Sequence, residues 1–193
     1  MSNKKIRVSL LQIEGRETPI LNASLIKKAL IKAYKFNPDI ICLPECANIM
    51  TANKSHLVKH ATLQKDCPVL EECIQFAKKY NKFVSVGSLL LKKNNSSKLL
   101  NRSFFINHSG KIMAYYDKIH LFDVNINRKE VHRESKSFHK GNKVVIITSP
   151  WGKIGLTICY DIRFPNLYRN LVKQGVKIIL VPAAFTVPTG KDH

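Results

Sequence analysis

Ile158-Cys159-Tyr160-Asp161-Ile162-Arg163-Phe164-Pro165 sets a cysteine where an apolar run ends and a helix-like segment begins. The run before it, Lys153-Ile154-Gly155-Leu156-Thr157-Ile158, is short and rich in branched residues, the pattern of a buried strand. Pro165 suits the first turn of a helix over Asn166 to Gln174, and Gly175 suits its end. A thiol at a strand-to-helix turn lies near unpaired backbone N–H groups and a positive dipole end. Both favour the thiolate, which is the nucleophilic form. The competing reading is a structural cysteine that closes a buried strand, since free cysteine is among the most buried residue types.

Two other stretches repeat the design. Asp39-Ile40-Ile41-Cys42-Leu43-Pro44-Glu45 is an apolar strand that ends in a carboxylate. Tyr115-Tyr116-Asp117-Lys118-Ile119-His120-Leu121-Phe122-Asp123 sets a lysine after a third strand-like run. A base, a cation and a nucleophile thus stand at three candidate strand ends, where open α/β sheets place their sites.

These blocks, in this order, resemble the nitrilase superfamily of carbon-nitrogen hydrolases, in the amidase branch that includes omega-amidase and deaminated glutathione amidase. The resemblance rests on Leu43-Pro44-Glu45, on Tyr116-Asp117-Lys118-Ile119-His120-Leu121-Phe122, on Glu134-Ser135, on Cys159 to Pro165, and on Pro182-Ala183-Ala184-Phe185-Thr186 with Thr189-Gly190 and His193. It runs from about Ile6 to the last residue. It implies a Glu45-Lys118-Cys159 triad with Glu134 in support, a four-layer α-β-β-α sandwich, a small carboxamide as substrate, and no cofactor or metal. Asn166 stands where the family usually has an acidic residue. Family members also continue past the position of His193, so the chain 1–193 reads as a single carbon-nitrogen hydrolase domain lacking its C-terminal part, and as a homo-oligomer once completed.

In that reading Cys159 attacks the amide carbonyl and Glu45 carries the proton. Lys118 and the Tyr160 backbone N–H stabilise the oxyanion, and Glu134 holds Lys118 in place. Arg163 is a candidate for a substrate carboxylate, with a structural ion pair to Asp161 as the alternative. Phe185 and Thr186 are candidates to line the pocket, with core packing as the alternative for Phe185. His56 and His60 have the spacing of helical metal ligands but lack an evident third ligand. His120 supports local structure.

Composition limits the rival classes. Lys and Arg number 32 against 13 Asp and Glu, a net charge of +19. Such a charge favours anionic partners. The basic residues are nonetheless spread along the chain, without aromatic-basic interleaving, so nucleic-acid binding is the weaker reading. No apolar run approaches the ~20 residues that span a bilayer. The start, Met1-Ser2-Asn3-Lys4-Lys5-Ile6-Arg7, has no signal-peptide apolar block, and five cysteines form an odd set. Both point to a reducing cytoplasm. Besides an active amidase, a non-catalytic remnant or partner subunit and a basic binding protein on the same scaffold stay open.

Further elements follow from periodicity. Ile6 to Gln12 reads as a strand. Asn22 reads as the N-cap of a helix with an apolar stripe of Leu25, Ile26, Ala29, Leu30 and Ala33. Pro68 to Tyr80 reads as a helix, and Phe83 to Leu91 as a strand. His108-Ser109-Gly110 and Ser149-Pro150-Trp151-Gly152 read as hairpin turns. Val124 to Gly141 reads as a long charged functional loop that contains both Glu130 and Glu134. Alternating strands and helices broken by hairpins predict a mixed α/β sheet protein.

Overall fold

Helix α1 (Pro19–Tyr34) turns Ile26, Leu30 and Ala33 inward, as the apolar stripe predicts. Its start differs from expectation. Pro19 occupies the first helical position, where its missing N–H costs nothing, and Thr18 takes the cap position. Asn22 sits one turn inside, fully buried, and clasps Arg16, Thr18 and Asn48 through its side-chain amide. Its hydrogen-bonding groups secure a loop crossing rather than a helix end. These features belong to a computed structural model that describes residues 5–125 and 131–191.

The chain order is β1 (Val8–Leu10), α1, β2 (Ile40–Cys42), α2 (Lys54–His60), α3 (Pro68–Tyr80), β3 (Phe83–Ser85), β4 (Leu89–Lys92), β5 (Leu99–Ile106) and β6 (Ile112–Asp117). There follow β7 (Asp123–Asn125), β8 (Val131–Arg133), β9 (Val145–Ser149), β10 (Gly152–Leu156), α4 (Pro165–Lys173), β11 (Val176–Leu180) and α5 (Val187–Lys191). The larger sheet runs β1-β2-β3-β5-β4, with β6 also paired to β5. Strands β1, β2 and β3 are parallel, whereas β5 is antiparallel to β3, β4 and β6. The smaller sheet is β11-β10-β9, and β7 pairs with β8.

Burial arranges these sheets in layers. One face of the larger sheet gives Ile41, Val84 and Phe104 to a core with Ile26 and Leu30 of α1 and Leu70 and Cys73 of α3. Its other face gives Ile40, Phe105 and Tyr116 to a second core with Ile147, Ile154 and Leu156 of the smaller sheet. On the far side of that sheet, Leu167 and Leu171 of α4 pack on Val176, with Ile146 and Ile179 against them. The order is helix, sheet, sheet, helix, the expected four-layer sandwich. Each fully buried aliphatic side chain contributes about 1.5–3 kcal/mol of transfer free energy.

The strand expected over Phe83 to Leu91 is broken at Gly87, and the break has a purpose. Gly87 has φ +62°, and a Cβ there would lie 2.0 Å from the Pro44 carbonyl oxygen. The kink brings Ser88 against the chain around Glu45. Ser88 N donates to Pro44 O, Cys46 N donates to Ser88 Oγ, and Ala47 N donates to Ser88 O. The segment expected to be a long loop holds most of the antiparallel β7-β8 pair and a 3-10 turn, Glu134–Lys136. Glu130 lies outside the described residues, as does His193.

Candidate active site

Cys159 opens a 3-10 turn (Cys159–Arg163) directly after the buried Thr157 and Ile158 that extend β10. Its φ is 45°, a backbone region that side-chain-bearing residues adopt rarely and that costs energy to hold. The turn is fixed from below by Asp161, which is fully buried. One carboxylate oxygen of Asp161 accepts from Tyr116 OH at 2.7 Å and Ile158 N at 2.8 Å. The other accepts from His120 N at 2.9 Å and pairs with His120 Nδ1 at 2.7 Å. The His120 ring stacks on Phe164 at 3.7 Å, so His120 has the supporting place expected of it. Asp161, the alternative partner for Arg163, thus serves four donors from the turn's own floor. Arg163 itself is exposed.

Glu45, Lys118 and Glu134 converge from separate elements. Glu45 follows β2 and is 5% exposed, and Lys118 follows β6 and is 2% exposed. Lys118 Nζ lies 3.0 Å from Glu45 Oε1 and 3.0 Å from Glu134 Oε2. Glu134 Oε2 also accepts from Phe122 N at 2.6 Å. Burial works against the Lys118 charge, but the two carboxylates outweigh it and lift its pKa above the usual lysine range. Lys118 is therefore a fixed cation between two anionic groups.

Glu45 and the Ala184 N–H lie beside the Cys159 thiol, and the Ala184 N–H donates to Glu45 Oε2 at 3.1 Å. Its pKa is pushed up to about 12. Burial is the largest cause, and Glu45 adds its charge and hydrogen bond, while Lys118 and the Ala184 N–H pull the other way. The net direction is opposite to the depression expected of a strand-to-helix turn. The 3-10 turn is only five residues long, and burial, with the Glu45 charge added, outweighs it. The resting group is a thiol with a base beside it. Cys46, next to Glu45, is also pushed up, by burial first and then by the Glu45 charge.

The other expected site residues lie around this centre. Tyr160 is half-buried, its ring edge-on to Phe122 at 4.9 Å and to Phe164 at 5.4 Å. Phe185 is 51% exposed beyond the end of β11. His56 and His60 stack on each other at 4.3 Å on α2. Among the described residues no group of three or more His, Cys, Asp or Glu is placed to hold a metal ion. No described helix is long and apolar enough to cross a membrane. A groove of about 720 Å³ lies on the helix-facing side of the larger sheet, lined by Arg102, Asp117, Leu70 and Ile74, across the sheet from Glu45 and Lys118.

One residue at the centre lies outside the sequence expectations. Asn101 on β5 is buried and donates from Nδ2 to Glu45 Oε1 at 3.0 Å and to Glu134 Oε1 at 3.2 Å. Its signal in the sequence is slight: a lone amide in Leu99-Leu100-Asn101-Arg102-Ser103-Phe104-Phe105, at a position whose strand face is otherwise core.

Residues 7–193 match the carbon-nitrogen hydrolase family. The chain belongs to that family. It is 35% identical over 194 residues to a deaminated glutathione amidase of Yersinia enterocolitica, covering 98% of this chain and 66% of the relative. It is 31% identical to the omega-amidase NIT3 of Saccharomyces cerevisiae, covering 99% of this chain and 67% of the relative. The fold superposes on the Caenorhabditis elegans NitFhit protein with a TM-score of 0.89 at 30% identity, over 100% of this chain and 47% of the other. It superposes on yeast Nit3, a member of branch 10 of the nitrilase superfamily, with a TM-score of 0.82 at 26% identity, over 97% of this chain and 68% of the other. The chain thus spans about two thirds of the length of the amidases it matches.

Proposed function

We propose that this carbon-nitrogen hydrolase is a thiol amidase that cleaves small carboxamides through Glu45, Lys118 and Cys159. The observation that carries the reading is the buried Glu45–Lys118 pair at 3.0 Å, backed by Glu134 and set beside Cys159 at the start of its turn. Glu45 takes the thiol proton as Sγ bonds to the carbonyl carbon. The carbonyl π electrons move to oxygen, and the resulting oxyanion is held by the Lys118 ammonium and the Tyr160 N–H. Tyr160 is the second residue of its turn, a position for which a short helix provides no internal acceptor. Collapse of the tetrahedral adduct breaks the C–N bond, and Glu45 returns its proton to the leaving amine. Glu45 then deprotonates a water, which attacks the thioester. The acid product leaves and the sulfur is reprotonated.

Glu134 holds Lys118 in register from the other side. A raised thiol pKa suits this sequence, because proton loss and carbon attack are then coupled and no free thiolate waits in the site. For the acyl group we propose a chain with a free carboxylate, met by the exposed Arg163, with Tyr160 and Phe185 along its path. The relatives named for deaminated glutathione and omega-amide substrates support that class. The same reading takes a reducing compartment, in keeping with five unpaired cysteines, and a homo-oligomer as the assembly.

The test is ammonia release from omega-amides of dicarboxylic acids, compared with the same amides esterified at the free acid. Cys159→Ala abolishes release and Arg163→Ala raises KM for the free acid alone. Full turnover in Cys159→Ala overturns the mechanism, and equal use of the esters overturns the substrate class.

A further inference from the structure

We infer that Asn101 is a positioning residue that sets the separation of the two site carboxylates and aims Glu45 at Cys159. The inference rests on the amidase reading above. The four side chains close a ring. Lys118 Nζ bridges Glu45 Oε1 and Glu134 Oε2, and Asn101 Nδ2 bridges Glu45 Oε1 and Glu134 Oε1. Both bridges meet on the same oxygen of Glu45. That fixes one edge of the carboxylate and leaves Oε2 to accept from the Ala184 N–H at 3.1 Å. Asn101 holds Lys118 through the backbone as well, because Lys118 N donates to Asn101 O at 3.0 Å.

The amide's orientation follows from the charges. Turned over, its carbonyl oxygen would face two carboxylates. As placed, that oxygen, Oδ1, is buried with no hydrogen-bond partner among the described residues, a cost the site tolerates to keep both donors on the glutamates. A lysine alone would draw the two carboxylates toward one point charge. The planar NH2 fixes the second contact of each and so sets their angle. Catalytic geometry is held to fractions of an ångström, and a misplacement of about 1 Å costs on the order of 10²-fold in rate.

The experiment pairs Asn101→Leu, which keeps the shape and removes the donors, with Asn101→Asp, which keeps the shape and turns both contacts repulsive. Asn101→Ala replaces Leu if that variant does not fold. Turnover is read by ammonia release. Thiol reactivity is read by iodoacetamide alkylation of Cys159 at pH 8 in the substrate-free protein, with Glu45→Gln as reference. In Asn101→Leu, kcat falls ~100-fold with KM within twofold, and Asn101→Asp falls further. Alkylation of Cys159 slows in the same order, because the carboxylates lose a donor and repel the thiolate more strongly. A purely structural role predicts the opposite sign, since a loosened site exposes the thiol and alkylation speeds up. Faster alkylation, or unchanged kcat with only a lower melting temperature, overturns the inference. If Glu45→Gln also leaves alkylation unchanged, the triad reading itself falls, and this inference with it.

Discussion

Glu45→Gln separates the two things Glu45 does to Cys159. The substitution keeps the size and removes the charge. The thiol stands at about 12 against an ordinary 9.0, with burial the first cause and Glu45 the second. At pH 8 a pKa near 12 leaves a thiolate fraction on the order of 10⁻⁴. A unit charge ~4 Å away is worth about 4 kcal/mol at an effective dielectric of 20, an upper figure here because Lys118 offsets part of it. Since about 1.4 kcal/mol is tenfold, removing the charge raises the thiolate fraction ~10–100-fold while burial keeps the pKa above its ordinary value. Alkylation of Cys159 at pH 8 therefore speeds up by that factor. Amide turnover moves the other way, falling ~10²–10⁴-fold for loss of a general acid–base group. The assay is a time course of iodoacetamide labelling by peptide mapping, beside ammonia release on the same preparation. Slower or unchanged labelling, or turnover within threefold of the unsubstituted protein, refutes the reasoning.

Lys118→Met leaves the buried Glu45 and the partly buried Glu134 without their cation, and breaking such a buried pair costs about 3–5 kcal/mol; chemical denaturation checks it, and changing both Glu45 and Glu134 to Gln alongside Lys118→Met recovers most of the loss. Because the folded pKa of Lys118 is raised, its stabilising contribution is fully present below the unfolded lysine pKa of about 10.4 and is lost as pH rises through the folded value. Melting temperature measured above about pH 10 should therefore decline more steeply in the unsubstituted protein than in Lys118→Met, with parallel curves as the contrary result. Gly87→Ala forces a Cβ to within 2.0 Å of Pro44 O at a φ of +62°, and the positive φ alone costs on the order of 1–3 kcal/mol. It shifts the chain around Glu45, so ammonia release should fall more than melting temperature predicts; equal activity per folded molecule is the opposing outcome.

The sequence displays the parts of the site whose cause is local. An apolar run followed by Glu45, by Lys118 or by Cys159 needs only short-range alternation to be read, and each of these residues does follow a strand in the fold. Pro68 and Tyr80 bound α3 as expected, because a proline at the start and a left-handed Asn81 after the end are local signals. The departures have long-range causes. Asn22 leaves the cap because its amide is drawn to Asn48 O, 26 residues away. The Cys159 thiol moves up rather than down because the assembled fold buries it and then sets the charge of Glu45, 114 positions earlier in the sequence, beside it. Asn101 escapes a sequence reading because one amide within an apolar strand carries no period.

The same alternation that hides Asn101 explains how one strand pair serves two environments. Along β5, Leu100, Phe104 and Ile106 face the helices, while Asn101 and Phe105 face the interior between the sheets. On the paired β6 and its exit, Asp117 turns to Arg102 at 2.7 and 2.8 Å, and its neighbour Lys118 turns to the glutamates. A slip of β6 by one residue would turn its side chains to the other face, sending Asp117 toward the glutamates and Lys118 toward the helix layer. The bidentate Arg102–Asp117 pair opposes that slip, because its geometry is met only at the register observed. The triad's cation is thus held in place partly by an ion pair on the other side of the sheet that touches none of the reacting groups.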